Sequence, residues 1–287
     1  MFRYCLLLAL ASTAVAGCGS VSHPRQHFDK PAPAPLAANT DAATALKLAR
    51  LLRDNGRMAA AYGVYARADE RGQLQGAQSL EYAQVAAAVL NAHDALPLYV
   101  QARQRLGNST LSAEQHYQLC LGIGRGQLAQ SLWGDAERSL QCALQARPDD
   151  AEALNALAVV QSAQGHTDNA QALLQRALQA DPGNVAALNN LALAKLAAGQ
   201  PTAAIELLEG ARLSGQPTLV LNLALAQLLQ GDESAARQAL QRYLPQVRSE
   251  PLMASLKASA GRIRSGQNTA RELLAASRQA LPLDTVQ

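Results

Sequence analysis

The chain has 287 residues, a formal net charge of +3 and only 3% aromatic residues. So small a charge, without a basic block interleaved with aromatics, excludes an ordinary nucleic-acid-binding surface. The length is large for one compact core, while a repeat architecture reaches it without difficulty.

The N-terminus reads MFRYCLLLALASTAVAGCGS. Arg3 gives a positive start, and an apolar run follows from Tyr4 to about Val15. That run is too short to span a bilayer core, which needs roughly 20 apolar residues. It has the layout of a secretory signal, set apart from fold reasoning. Val15-Ala16-Gly17-Cys18 resembles a bacterial lipobox. The resemblance implies removal of residues 1–17 and a lipid on the Cys18 sulfur, leaving a mature chain of 270 residues, 18 to 287. Each buried acyl CH₂ is worth ~0.8 kcal/mol, and two chains already anchor stably. Gly19 follows Cys18 with no Asp there. By resemblance to enterobacterial lipoproteins, this favours an outer-membrane location on the periplasmic face.

Residues 18–40 form the lipidated Cys and a tether containing Pro31-Ala32-Pro33-Ala34-Pro35. Alternating Pro cannot be helical and favours an extended form of ~3.1 Å per residue. The tether is expected to hold the body off the membrane.

From residue 41 the chain aligns with itself. An Ala recurs at Ala61, Ala95, Ala136, Ala170, Ala204, Ala236 and Ala270, with spacings of 34, 41, 34, 34, 32 and 34. Four residues after each stands a larger side chain: Tyr65, Tyr99, Leu140, Leu174, Leu208, Leu240 and Leu274. Three further on stands a small one, Ala68 to Ala211, replaced by Tyr243 and Ser277 in the last two units. A period of about 34 residues is the tetratricopeptide (TPR) length. A second pattern, large then small, marks a preceding helix at Leu48-Ala49, Tyr82-Ala83, Ile123-Gly124, Leu157-Ala158, Leu191-Ala192 and Leu223-Ala224. Gly56, Gly165, Gly199 and Gly231 stand five before the Ala column, where a left-handed residue ends a helix. Leu90 and Ser131 take that place in two units.

The fold class expected is therefore all-α, a right-handed α-solenoid of six to seven TPR-like hairpins. Six repeats span 41–250, at about 42–75, 76–109, 117–150, 151–184, 185–216 and 217–250. The 41-residue gap implies seven extra residues near Thr110–His116, read as a longer loop. Residues 251–287 form a degenerate seventh repeat with Lys257 at an apolar position, suited to a polar end cap.

No phosphate-cradling Gly motif, nucleophile elbow or acid/base pair occurs, so no enzyme is expected. His23, His27, His93, His116 and His166 are scattered and read as solvated or capping, with no metal site expected. No cofactor is expected beyond the lipid on Cys18. Cys120 and Cys142 fall one on each helix of a hairpin, Cys120 near the start of the first and Cys142 near the end of the second. They are either a disulfide, in an oxidising compartment, or two small buried thiols. First helices line the inner face of a TPR solenoid. Asn155, Asn189, Asn190, Leu221 and Asn222 stand just before the close-packed pairs and are the candidate groove residues. Their amides can hold a peptide backbone or can satisfy local groups and water.

Residues 181–240 carry NNLALAKLAAG, AIELLEGAR and NLALAQLLQGD. These phrases, with the lipobox, resemble TadD, the TPR lipoproteins of Flp/Tad pilus assembly. The resemblance implies a pilotin-like helper whose protein partner is a secretin subunit or another pilus-machinery protein. It carries over one functional position, the lipid-bearing Cys18, and no catalytic residue. The competing expectation is a TPR adaptor for peptidoglycan hydrolases or polysaccharide export machinery.

Overall fold

The computed structural model describes residues 41–107, 110–211, 216–245 and 247–266. The signal, Cys18, the tether and the three second-helix markers of unit seven, Ala270, Leu274 and Ser277, lie outside the described residues.

Thirteen helices follow one another among the described residues: α1 (Ala42–Asp54), α2 (Met58–Glu70), α3 (Gly76–Ala87), α4 (Ala92–Leu106), α5 (Ala113–Ala129), α6 (Trp133–Ala146), α7 (Ala151–Ala163), α8 (Thr167–Ala180), α9 (Val185–Ala197), α10 (Pro201–Ala211), α11 (Pro217–Gln230), α12 (Glu233–Tyr243) and α13 (Ser249–Arg264). Each packs on its chain neighbours, and first helices also touch across units: α3 with α5, α5 with α7, α7 with α9, α9 with α11. The all-α solenoid expected from the period is the fold observed.

Helix starts are set by short polar side chains. Asp41, Ser112, Asp150 and Asn184 cap α1, α5, α7 and α9, each accepting a hydrogen bond from the backbone N–H three residues on. Such a cap is worth about 1 kcal/mol. Helix ends are set by backbone handedness. Gly165 and Gly231 adopt φ of 85° and 98° between the two helices of their units. Ser131 stands in the same place with φ 60°, the one non-Gly residue among those described to do so.

The Ala column forms the seam of each hairpin. Ala61, Ala136, Ala170, Ala204 and Ala236 are wholly buried, and Ala95 nearly so. The larger column, from Tyr65 to Leu240, fills the space beside them and is equally buried. Of the large residues in the first-helix pairs, Tyr82, Ile123, Leu157, Leu191 and Leu223 are buried, while Leu48 is 37% exposed. Leu48 belongs to α1, which has no described unit in front of it.

Helix α5 is packed more closely than its neighbours through three alternating glycines in LGIGRG. A Cβ on Gly122 would run into the Tyr99 ring of α4, and one on Gly126 would meet Leu96 and the Ala92 carbonyl of α4. A Cβ on Gly124, which faces the other way, would meet Leu140 of α6 at 2.8 Å.

Two boundaries differ from the sequence reading. The extra residues near Thr110–His116 are not all loop. Ser112 and Gln115 form a reciprocal capping box, so α5 starts at Ala113 and runs 17 residues. The seventh unit begins at Ser249, and its first helix is more than a polar cap. Leu252, Met253, Leu256 and Ala260 are buried in one cluster with α11. Lys257, at an expected apolar position, turns outward and pairs with Glu233 of α12 at 2.5 Å.

Candidate partner-binding face

Polar side chains link consecutive first helices along one face. Between α1 and α3, Arg50 donates two hydrogen bonds to Glu81, each of 2.8 Å. The Tyr65 hydroxyl of α2 donates to the same carboxylate at 2.8 Å. Between α5 and α7, Arg125 pairs with Glu152. Between α7 and α9, Asn190 Nδ2 donates to Asn155 Oδ1 at 2.8 Å. Between α9 and α11, Asn222 Nδ2 donates to Asn189 Oδ1 at 2.6 Å.

The periodicity produces this ladder. Arg50, Gln84 and Arg125 each follow directly on a close-packed pair, and Val159, Leu193 and Leu225 hold that place in later units. At this position the face changes from Arg50, Gln84 and Arg125 to half-buried Val159 and Leu193, while Leu225 is wholly buried.

Between α3 and α5 the face opens into a cleft of about 240 Å³. Gln84, Gln118, Arg125 and Glu152 supply its polar lining, and Ala88, Leu121 and Gly122 its apolar lining. Tyr99 closes one wall. Burial, with Glu152 nearby and against the pull of Arg125, pushes the Tyr99 hydroxyl up to about 12, so it stays a neutral phenol. Glu81 is shifted the other way. Burial raises its carboxyl, but the hydrogen bonds from Arg50 and Tyr65 outweigh that and hold it below its ordinary value. It is a carboxylate throughout the neutral range.

The five candidate groove residues divide. Asn155, Asn189 and Asn190 lie on the first-helix face, half-buried, with their amides bonded across units. Leu221 and Asn222 do not line an open groove. Both are buried, because α11 is enclosed over the whole run Leu219–Leu228. Asn222 Oδ1 has no hydrogen-bond partner among the described residues. Arg50, Glu81, Gln84 and Arg125, not chosen from sequence, join the face. Their register beside the close-packed pairs is the signal that finds them.

Cys120 and Cys142 are joined in a disulfide with their Cα atoms 5.8 Å apart. Cys120 lies mid-helix rather than near a helix start, because α5 begins at Ala113. Among the histidines, His93 is exposed beside Asp94, and His166 Nδ1 stands 3.1 Å from Gln161 Oε1. His116 is different. It sits one turn before Cys120, and its Nε2 stands 3.1 Å from Cys142 Sγ. The reading as solvated or capping is corrected for His116 alone, while His23 and His27 lie outside the described residues. Cys18 lies outside the described residues.

Comparison with known proteins agrees with this architecture. Tetratricopeptide repeat family models match residues 121–184, 161–218 and 195–260. No curated protein sequence matches the chain. Among solved structures, a chain of the APC/C hetero-tetramer Cut9–Hcn1 is similar with a TM-score of 0.58 and 19% identity, over 83% of this chain and 43% of that one. A tetratricopeptide repeat protein from Parabacteroides merdae is similar with a TM-score of 0.54 and 15% identity, over 78% of this chain and 86% of that one. A thermophilic TPR protein from Thermus thermophilus is similar with a TM-score of 0.50 and 18% identity, over 64% of this chain and 98% of that one. These likenesses speak to the fold. The chain is an all-α solenoid carrying tetratricopeptide repeats.

Proposed function

We propose that this protein is an outer-membrane-anchored scaffold lipoprotein of a Flp/Tad-type pilus system, which binds a secretin subunit or another pilus-machinery protein and assists its assembly. Tetratricopeptide repeats make the body a protein-interaction scaffold. The finer reading is carried by one observation, the run NNLALAKLAAG…NLALAQLLQGD over 189–232, which resembles TadD. Residues 189–232 include most of α9 and the whole of α10 and α11. The lipobox ending at Cys18 and the Pro-rich tether support an anchored body held off the membrane. The first-helix face, with its cleft between α3 and α5, supplies the docking surface. No catalytic activity is proposed.

The experiment is Cys18→Ser, beside deletion of the whole gene, with heat-resistant secretin multimers counted in outer-membrane fractions. Fewer multimers and reduced piliation are expected. Unchanged multimers with normal piliation would sink the reading. Affinity capture from envelope extracts separates it from the adaptor alternative. Peptidoglycan hydrolases recovered without secretin would favour the adaptor.

A further inference from the structure

The geometry points to a redox-gated metal site on the α5–α6 hairpin, in which His116, Cys120 and Cys142 bind one zinc(II) ion once the disulfide is reduced. The ring nitrogen of His116 and the two sulfurs all lie within 4.8 Å of one another. His116 and Cys120 are one turn apart on α5, and Cys142 reaches them from α6. Around a tetrahedral zinc with bonds of about 2.0 Å to nitrogen and 2.3 Å to sulfur, donor atoms stand roughly 3.5 Å apart. His116 Nε2 and Cys142 Sγ stand 3.1 Å apart already. The sulfurs need only separate by side-chain rotation once their bond is broken. His116 is exposed and the two cysteines are half-buried, which gives the ion a path in and an open fourth position for water.

The site is closed while the disulfide stands, since each sulfur then lacks the charge that binds a metal. A dithiol opens it. The dithiol gives up two electrons and two protons and becomes a disulfide, while Cys120 and Cys142 become thiols. Zinc then displaces both thiol protons and is held by two thiolates and a neutral imidazole, a donor set suited to a soft or borderline ion. Either way α5 stays clamped to α6. The disulfide holds the pair when oxidised, and the metal holds it when reduced.

The test uses the full chain with Cys5→Ser and Cys18→Ser, so that Cys120 and Cys142 are the only cysteines. After reduction with a trialkylphosphine and anaerobic desalting, zinc is titrated against a chromophoric chelator, and cobalt(II) is used in parallel for its thiolate charge-transfer band. One equivalent is expected, with two protons released per ion at a pH below the thiol range. His116→Ala is on the surface and is expected to fold, as circular dichroism can verify. It should weaken binding by at least about a hundredfold, since loss of a mere supporting contact already costs roughly 10–100-fold. Three results would each overturn the proposal: no zinc bound by the reduced chain, equal binding by His116→Ala, or equal binding by the oxidised chain. The last would place the metal elsewhere, for example on His23 and His27.

Discussion

Asn222 donates a hydrogen bond to Asn189 across 2.6 Å, while its own carbonyl oxygen lies buried with no partner among the described residues. The residue is wholly buried among Leu221, Leu223 and Leu225. One satisfied donor against one orphaned acceptor is a poor exchange in an apolar setting, because an unmade buried hydrogen bond costs about 1–3 kcal/mol. Asn222→Leu removes the orphan and leaves half-buried Asn189 with access to water. It is expected to leave the melting temperature unchanged or raise it. Asn222→Asp puts a charge at a wholly buried position and should cost about 3 kcal/mol or more at neutral pH. Thermal melts of the two variants check this. A strong destabilisation by Asn222→Leu would mean that the Asn189–Asn222 bond outweighs the orphan.

Gly122 and Gly126 mark where α5 meets α4 with no room for a methyl. The Tyr99 ring occupies the place a methyl on Gly122 would take, and Leu96 with the Ala92 carbonyl blocks one on Gly126. Gly122→Ala and Gly126→Ala should each destabilise by about 1–3 kcal/mol, since overfilling a packed seam forces the backbone apart. Gly261 in α13 is the control, with open space where its Cβ would go. Gly261→Ala should stabilise by about 0.8 kcal/mol through helix propensity alone. Urea unfolding of the three variants decides, and stabilisation by all three would show that the seam is loose.

Much of this arrangement is legible in the sequence, and what is not has identifiable causes. The Ala and Leu columns are legible because each unit repeats the same seam, so Ala136, Ala170 and Ala204 are buried alike. The start of α5 is harder to place, because seven extra residues fit a loop or a helix equally well. Only the local S-x-x-Q box at Ser112 and Gln115 separates the two, and it stands in the sequence. The burial of Leu221 and Asn222 is not readable. Their register repeats that of Asn189 and Asn190, and the difference comes from what packs around α11. The His116 to Cys120 step is visible as one helical turn, but the arrival of Cys142 depends on the register of α6 against α5.

Ser131 holds a left-handed conformation that four other units assign to Gly56, Gly165, Gly199 and Gly231. An L-residue there costs roughly 1–2 kcal/mol, offset in part by the lower unfolded-state entropy of Ser. Ser131→Gly should therefore stabilise by about 0.5–1 kcal/mol, and Ser131→Val should destabilise. Chemical denaturation of both checks the claim. Equal stability of Gly and Val variants would contradict it.

Glu81 ties α1, α2 and α3 together through Arg50 and Tyr65. Its carboxyl is held low in the folded chain, so the unfolded chain takes up the proton first as pH falls. The stability it contributes is present above the ordinary glutamate value and is lost as pH falls through the folded value. Glu81→Gln keeps the shape and removes the charge. It should cost about 1–2 kcal/mol at pH 7, as expected for hydrogen bonds to a charged group. The gap between wild type and variant should close as pH drops below about 4. A gap that stays constant from pH 7 to pH 3 would show that charge is not what Glu81 contributes.

The Cys120–Cys142 bond closes a loop of 22 residues around the turn between α5 and α6. That turn contains Ser131 in its left-handed conformation, so the unit that uses a non-Gly residue there is the one that is cross-linked. In the chain-entropy account, a loop of this size contributes about 3 kcal/mol. Cys120→Ser with Cys142→Ser should lower stability by that order under oxidising, metal-free conditions and leave helix content at low temperature unchanged. The loss should also be local. Hydrogen exchange should rise most in α5 and α6, because each unit of a solenoid is stabilised chiefly by its neighbours. A uniform rise across all described helices would instead show that the chain unfolds as one cooperative block.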